Sequence, residues 1–486
     1  MRIVKFMVVT IAMIAAFVAC NKEKESASLT VDRSSLYFSS WEDEGQTVSY
    51  VATNAVSVTI GDYSDGLYAS VDAPSRTVYV KPVGTTDKDV VLPQEGYVIV
   101  NALSKDNLSV SCYINVYVSE PHYLDGDGHR ANCYVVTSPN SSYAFDVMHR
   151  PDGTPLATAS AGLLWQSNSN VVKHVSKSGD HAMFYISSLK GDETRVEDTN
   201  AVVAAYNDAG EVIWSWHLWI VNENPLEATD TYSNGKSFMQ KNLGAFTNSN
   251  GSEVIRDIHD SYGMYYQWGR KDPFPRPYYH DAAYADDEYR ADEDGIVIEE
   301  VREARTAENG TVDYVTKKPM VFITADGSDA VGDWLASTDN TLWGDNKKSV
   351  YDPCPYGWKV PSAEDLAVLA LDETEDKTSL EKARKQFGWY LTDGNGNKFF
   401  YSACGRRRYT DGKVENMNSK DYQYDAETGE PVMPEPWEGY YWTSTAKDGK
   451  AVSLYFDLTT TRAINKFDNA HSARRANGFQ VRCIKE

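Results

Sequence analysis

Between Ser28 and Glu120 one pattern recurs. A short run of alternating apolar and polar residues ("SLYFSS", "QTVSYVAT", "VSVTI", "RTVYVKPV", "GYVIVNA", "SVSCYINVYVS") is followed by a cluster of Gly, Asp or Ser. Period-two alternation gives each strand one apolar face, and turn residues at this spacing leave no room for helices. The segment 29–120 is therefore expected to be an all-β sandwich of immunoglobulin type. The 32 tyrosines and 12 tryptophans of the whole chain favour β-rich structure beyond this segment as well. At 486 residues the chain exceeds what one hydrophobic core usually serves, so about three domains are expected.

A second β-sandwich is expected over 130–225, from "ANCYVVTSPNSSYAFDV" to "AVVAAYNDAGEVIWSWHLWIV". "NDAG" between two alternating runs is a hairpin turn, with Asp and Gly supplying the unusual backbone angles. In "IWSWHLWI", Trp214, Trp216 and Leu218 share one face of a strand, and Ser215, His217 and Trp219 the other. Such a Trp face is either core or a platform for a sugar; His217 between tryptophans reads as a structural histidine. The third segment, 234–486, differs. In "SAEDLAVLA", Ser362 can cap a helix and Asp365 complete a capping box, and "TSLEKARKQFGWY" reads as a second short helix. The closing segments alternate like strands, which makes this an α+β layout.

The first residues address the chain. Arg2 and Lys5 precede the apolar run "MVVTIAMIAAFVAC", too short to span a bilayer but suited to a secretory signal over 1–19. A cysteine at its end, in "FVAC", resembles the signal of bacterial lipoproteins, which implies that Cys20 is acylated and that 20–28 is a tether from a membrane. The "NKEKE" that follows resembles the tag sending Bacteroidetes lipoproteins to the outer face of the outer membrane. A net charge of −23 argues against nucleic acid as a partner, because phosphate binding needs clustered Lys and Arg.

Family resemblances refine the picture. "LTVDRSSLYFSS" with "GYVIVNA" and "SCYINVYVSE" resembles the BACON module of Bacteroidetes lipoproteins, whose implied role here is that of a spacer or a carbohydrate binder. In the third segment "GWKVPSAEDL", then "YYWTST", then a final "VRC" resemble the Fibrobacter succinogenes major paralogous domain, a relative of C-type lectins and of the formylglycine-generating enzymes. "ANCYVV…VIWSWHLWI", "KNLGA" and "YYQWGRKDPF" resemble the β domain that accompanies it in Bacteroidales surface lipoproteins, many of them described as fimbrium tip subunits or adhesins. The implied architecture is multidomain, two all-β sandwiches followed by an α+β C-type lectin-like domain. The implied function is a non-enzymatic adhesin of the outer membrane, at a fimbrial tip or associated with a fimbria. Its partners would be fimbrial subunits or a host or bacterial surface receptor, glycans included. The alternative is a glycan-binding lipoprotein for polysaccharide capture. No cofactor or metal is expected. Trp437 in "MPEPWEGYYW" stands where a calcium-dependent lectin needs an amide, and "YLDGDGHR" (123–130) lacks the Glu that closes an EF-hand loop.

Cys354, in "DPCPYGWKVP", is the residue on which a catalytic reading would turn. A nucleophilic cysteine needs a neighbouring base, and no histidine lies between Asp281 and Ala470; only His280 and His471 flank that stretch. Zinc needs clustered Cys and His, and the chain has no CxxC. What remains is a disulfide, favoured by export, or a buried thiol. In C-type lectin-like folds the last strand lies beside the first helix, which implies pairing of Cys354 with Cys483. Six cysteines less Cys20 leave five, so at least one stays unpaired among Cys112, Cys133 and Cys404 and the proposed pair. For a ligand surface the sequence offers "YYQWGRKDPFPRPYYH", the acidic run 281–304 expected as an exposed insertion, and Trp343, Trp437, Tyr440 and Trp442, with core packing as the alternative for the aromatics.

Overall fold

The computed structural model describes residues 25–486 except 39, 42, 85–93, 281–282, 287–288, 292–295, 299, 345–346, 372–381, 416–422, 425–430, 433–437 and 459–466. The signal segment, Cys20 and Trp437 lie outside the described residues. The chain forms two compact units, one ending at Val118 and one spanning Ser119–Glu486.

In the first unit the alternating runs become two four-stranded sheets. One has the order Ser28–Val31, Gln46–Thr53, Thr77–Pro82, Leu67–Asp72; the other Ser35–Phe38, Ser109–Val118, Gln94–Ser104, Ala55–Tyr63. Their inward positions, among them Val48, Val78 and Val80 from one sheet and Phe38, Val98 and Ile114 from the other, meet in a single core. This is a β-sandwich, as its pattern demands.

The second unit is organised by Val212–Ile220, whose neighbours are Thr199–Tyr206 (antiparallel) and Cys133–Val136 (parallel) in a six-stranded sheet. Trp214, Trp216, Leu218 and Ile220 point into a core shared with a four-stranded sheet that includes Ser141–Asp146 and His181–Ile186. Trp219 and Val221, with Cys133, Trp165 and Val202, point the other way into a second core built with Met264, Trp268, Trp343 and Trp442. The sheet is thus covered on both faces, the arrangement in which strands lose clean alternation and read as continuous apolar runs.

That double burial runs across the expected boundary between 130–225 and 234–486. The two segments are one compact unit, because the far face of the sandwich sheet is itself part of the C-terminal core. The α+β expectation is corrected in degree. Helices are short, among them Ile255–Asp260, Val312–Lys317 and Ala363–Leu366, and strands dominate. The capping box at Ser362 and Asp365 forms as expected, yet its helix lasts one turn before Ala370–Leu371 joins a sheet with Gly388–Thr392.

Polar groups on the buried underside of the sheet are paired. His217 Nε2 lies 2.9 Å from Asn200 Oδ1, and Asn200 Nδ2 donates to the Gly244 carbonyl at 2.9 Å. Lys271 Nζ donates to Asp272 Oδ1 at 2.6 Å and to the Ser215 carbonyl at 2.9 Å, with both ionic side chains buried. Burial pushes the Lys271 amine down, and Asp272 opposes that shift. Removing one partner of a buried pair strands the other charge, so Asp272→Ala should cost about 3–5 kcal/mol of unfolding free energy in equilibrium urea melts.

Burial also lowers His217 from its ordinary 6.5 to about 3. Between those values the unfolded chain binds a proton that the folded chain refuses, so stability is present above the unfolded value and is lost as pH falls below it. The unfolding free energy of the second unit should drop by up to about 1.4 kcal/mol per pH unit on this group's account as the solution is acidified below neutrality. Urea melts at neutral and mildly acidic pH should show a shallower dependence in His217→Gln; an identical slope would remove His217 as its source.

Candidate functional site

The loop that opens with Asp352 is held by its own carboxylate. Asp352 is fully buried; Oδ1 accepts from the Cys354 amide at 2.8 Å and Oδ2 from the Val360 amide at 2.9 Å. Lys348 Nζ completes the knot, donating to Asp352 Oδ1 at 3.0 Å and to the carbonyls of Cys354 (2.8 Å), Pro355 (3.3 Å) and Trp358 (2.6 Å). The sandwich grips the same loop. Asn132 Nδ2 donates to the carbonyls of Val350 (2.7 Å) and Asp352 (2.8 Å), while its Oδ1 accepts from Trp214 Nε1 at 3.1 Å.

Cys354 is bonded to Cys483, with an S–S distance of 2.05 Å and Cα atoms 6.1 Å apart. Immediately beyond the bridge, Trp358–Lys359 pairs antiparallel with Ile484–Lys485, and Phe238 pairs with Ile484 from the other side. The remaining described thiols are not poised to react: Cys133 and Cys404 are buried and Cys112 half-buried. Desolvation pushes Cys404 up to about 12 and Cys133 higher still.

Above this pair of strands lies a groove of about 500 Å³, within the range that small ligands occupy. Its basic side chains are Arg130, Lys236, Lys347, Lys348, Lys359 and Lys485, against three acidic ones, Asp152, Asp365 and Glu486. In the chain as a whole the balance is reversed, 47 Lys and Arg against 70 Asp and Glu. Arg130 is engaged with Asp146 at 2.7 Å and Lys348 with the loop, and the Asp365 carboxylate serves the capping box. Lys236, Lys347, Lys359 and Lys485 form no ion pair among the described residues. Tyr356, 51% exposed, stands at the groove with its ring stacked on His129, centroids 4.1 Å apart at 16°.

The aromatic residues expected to form a ligand surface lie elsewhere, in the core. Trp343 is fully buried beside Trp268, its Nε1 donating to the Arg270 carbonyl at 3.3 Å. Trp442 is stacked on Phe479 at 4.1 Å and donates to the Tyr266 carbonyl at 2.7 Å. Tyr440 is 3% exposed, with its hydroxyl on Glu438 Oε2 at 2.6 Å. All three are packing residues, the alternative that the sequence left open for them; Trp437 is outside the described residues. "YYQWGRKDPFPR" is interior too. Arg270, for example, is buried and donates to the Val321 and Pro319 carbonyls at 2.7 and 3.0 Å. Within the acidic run, Tyr289–Ala291 and Ile296–Ile298 extend the six-stranded sheet, and most of its side chains lie outside the described set.

Sequence reasoning missed the groove because four of its lysines come from positions 236, 347, 359 and 485, which no local window unites. The one local cue is "PYGWK", an aromatic and a lysine directly following a disulfide cysteine.

No protein-family model matches the sequence, and no curated protein does. Among solved structures, the surface glycan-binding protein SGBP-B of the Bacteroides ovatus mixed-linkage glucan utilization locus, determined with a mixed-linkage heptasaccharide, is similar at a TM-score of 0.12 and 8% identity, over 38% of this chain and 42% of that one. The periplasmic chaperone SfaE is similar at 0.18 and 10% identity over 40% of this chain and 100% of its own. Protocadherin gamma B2 domains 3–6 match at 0.15 and 12% identity, over 40% of this chain and 51% of that one. At scores this low the likenesses carry no argument about fold or function.

The bridge closes a sequence separation of 129 residues. Replacing Cys354 and Cys483 together by Ser should lower the stability of the second unit by about 2–5 kcal/mol, the upper figure following from chain entropy for a loop of this size. Urea melts of oxidised wild type and the double variant measure it, and coincident curves would show that the Asp352–Lys348 knot alone holds the loop.

Proposed function

We propose that this chain is a non-enzymatic adhesin of the bacterial cell surface, anchored through an acylated Cys20 to the outer membrane and serving at or near a fimbrial tip. In this reading the N-terminal sandwich is a spacer, and the second unit, with a C-type lectin-like C-terminal portion, presents the binding surface to a fimbrial subunit or a surface receptor. The observation that supports binding most directly is the groove. It combines an exposed aromatic ring with cations that form no ion pair among the described residues, on a floor held by a disulfide and backbone pairing. A pre-organised polar recess of this kind suits recognition without covalent chemistry. Among the described residues no helix is long and apolar enough to cross a membrane, which is compatible with anchoring by lipid. The second reading, glycan capture for nutrition, is favoured by Tyr356, since an open ring at a polar groove can stack on a sugar.

Deletion in the producing cell and complementation separate the two. Adherence to host or bacterial surfaces should fall on deletion and return with the wild-type chain. Unchanged adherence together with lost glycan retention would favour capture. Cys20→Ala should move the protein from the membrane to the soluble fraction, and continued retention would contradict lipidation.

A further inference from the structure

The groove has a sign, and the sign selects a ligand. We propose that it binds an anionic oligosaccharide, a short glycan bearing carboxylate or sulfate groups, with Lys359, Lys485, Lys236 and Lys347 meeting the anions and Tyr356 stacking on a sugar ring. The inference rests on the binding role proposed above and adds the ligand's chemistry.

Three observations converge. The first is local charge reversal: with Arg130 and Lys348 neutralised by Asp146 and Asp352, four lysines still outnumber the three acidic residues of the lining, in a chain of net charge −23. Held in a recess, such a cluster concentrates counter-ions and steers anions towards itself even against an unfavourable overall charge. The second is commitment. Of the groove's cations, Arg130 is bound to Asp146 and Lys348 to Asp352 and three carbonyls, so both serve the frame. The four lysines left over have no ion pair among the described residues, and Lys359 and Lys485 belong to two paired strands that follow the bridged Cys354 and Cys483 in the chain. Lysine offers a point charge on a long stem, suited to anions placed at intervals along a chain.

The third is Tyr356, half exposed although apolar in most of its area, braced by the parallel ring of His129. A ring held in this way loses little conformational freedom when a flat apolar partner covers it. An acidic peptide would satisfy the lysines equally but has no comparable use for the braced ring.

The test uses the full chain in isothermal titration with four probes: a galacturonic acid tetrasaccharide, its full methyl ester, a sulfated tetrasaccharide and hexaglutamate. At least one of the two anionic sugars should bind, and the uncharged ester should not. Lys359→Glu with Lys485→Glu should weaken binding roughly tenfold or more, as expected when two exposed charge contacts are reversed. Tyr356→Ala should weaken sugar binding several-fold. Added salt should weaken it further. Which anionic sugar wins tells carboxylate from sulfate. The proposal is overturned if the ester binds as well as the acid, or if neither anionic sugar binds up to about 1 mM. It is equally overturned if the lysine reversals leave affinity unchanged, or if hexaglutamate binds as tightly as the sugars with no effect of Tyr356→Ala. Retained circular dichroism and urea midpoint in each variant exclude misfolding as the cause. Failure here with adherence still lost on deletion would leave the adhesin role standing with a different ligand. Sugar binding without any adherence defect would do the reverse.

Discussion

The second unit depends on one strand being buried from both sides. Val212–Ile220 sends tryptophans into two cores, and a strand so placed allows no polar residue on either face without a partner. Ser215 and His217 are there all the same, and each is matched: Ser215 by Lys271 and Asp272, His217 by Asn200. Because those partners come from the C-terminal portion and from the adjacent strand, the sandwich cannot be separated from what packs beneath it. Cooperativity over the whole of Ser119–Glu486 follows from this sharing of cores and of polar partners.

From that sheet, order passes outward through Asn132. Its side-chain amide links Trp214 to the backbone at 350 and 352, which places the loop before Cys354. Asp352 and Lys348 then fold the loop upon itself, and the disulfide ties it to the last strand. The groove is the outer surface of this chain of contacts. Two of its lysines, Lys359 and Lys485, lie on paired strands beside the covalent bridge. Interior arginines contribute in a parallel way. Arg270 and Arg475 donate chiefly to backbone carbonyls, fastening irregular loops that have few ladder bonds of their own.

Much of this was legible in the sequence where a local rule applied. Period-two alternation announced the N-terminal sandwich, and Ser362 with Asp365 announced a helix start that exists, though for one turn only. The Cys354–Cys483 pairing, present in the structure, had no local rule behind it and was implied only by a resemblance. "IWSWHLWI" was legible in its faces but not in its fate, because an apolar run has the same spelling whether one side or both are covered. The aromatics Trp343, Tyr440 and Trp442 looked like a recognition surface for a related reason: composition favours Trp and Tyr equally in cores and in binding sites.

By itself, then, the sequence determined what local periodicity and local capping can determine: strands, turns, a helix start, and an acidic chain poor in nucleic-acid-binding character. Tertiary structure alone decided how many cores those strands share, and which side chains remain at the surface. Lys236, Lys347, Lys359 and Lys485 are unremarkable in their own neighbourhoods and become one site only when strand pairing brings positions 358–359 and 484–485 together. The physical reason is that burial and electrostatic proximity are sums over residues distant in the chain, whereas the signals a sequence displays act within a few residues of one another.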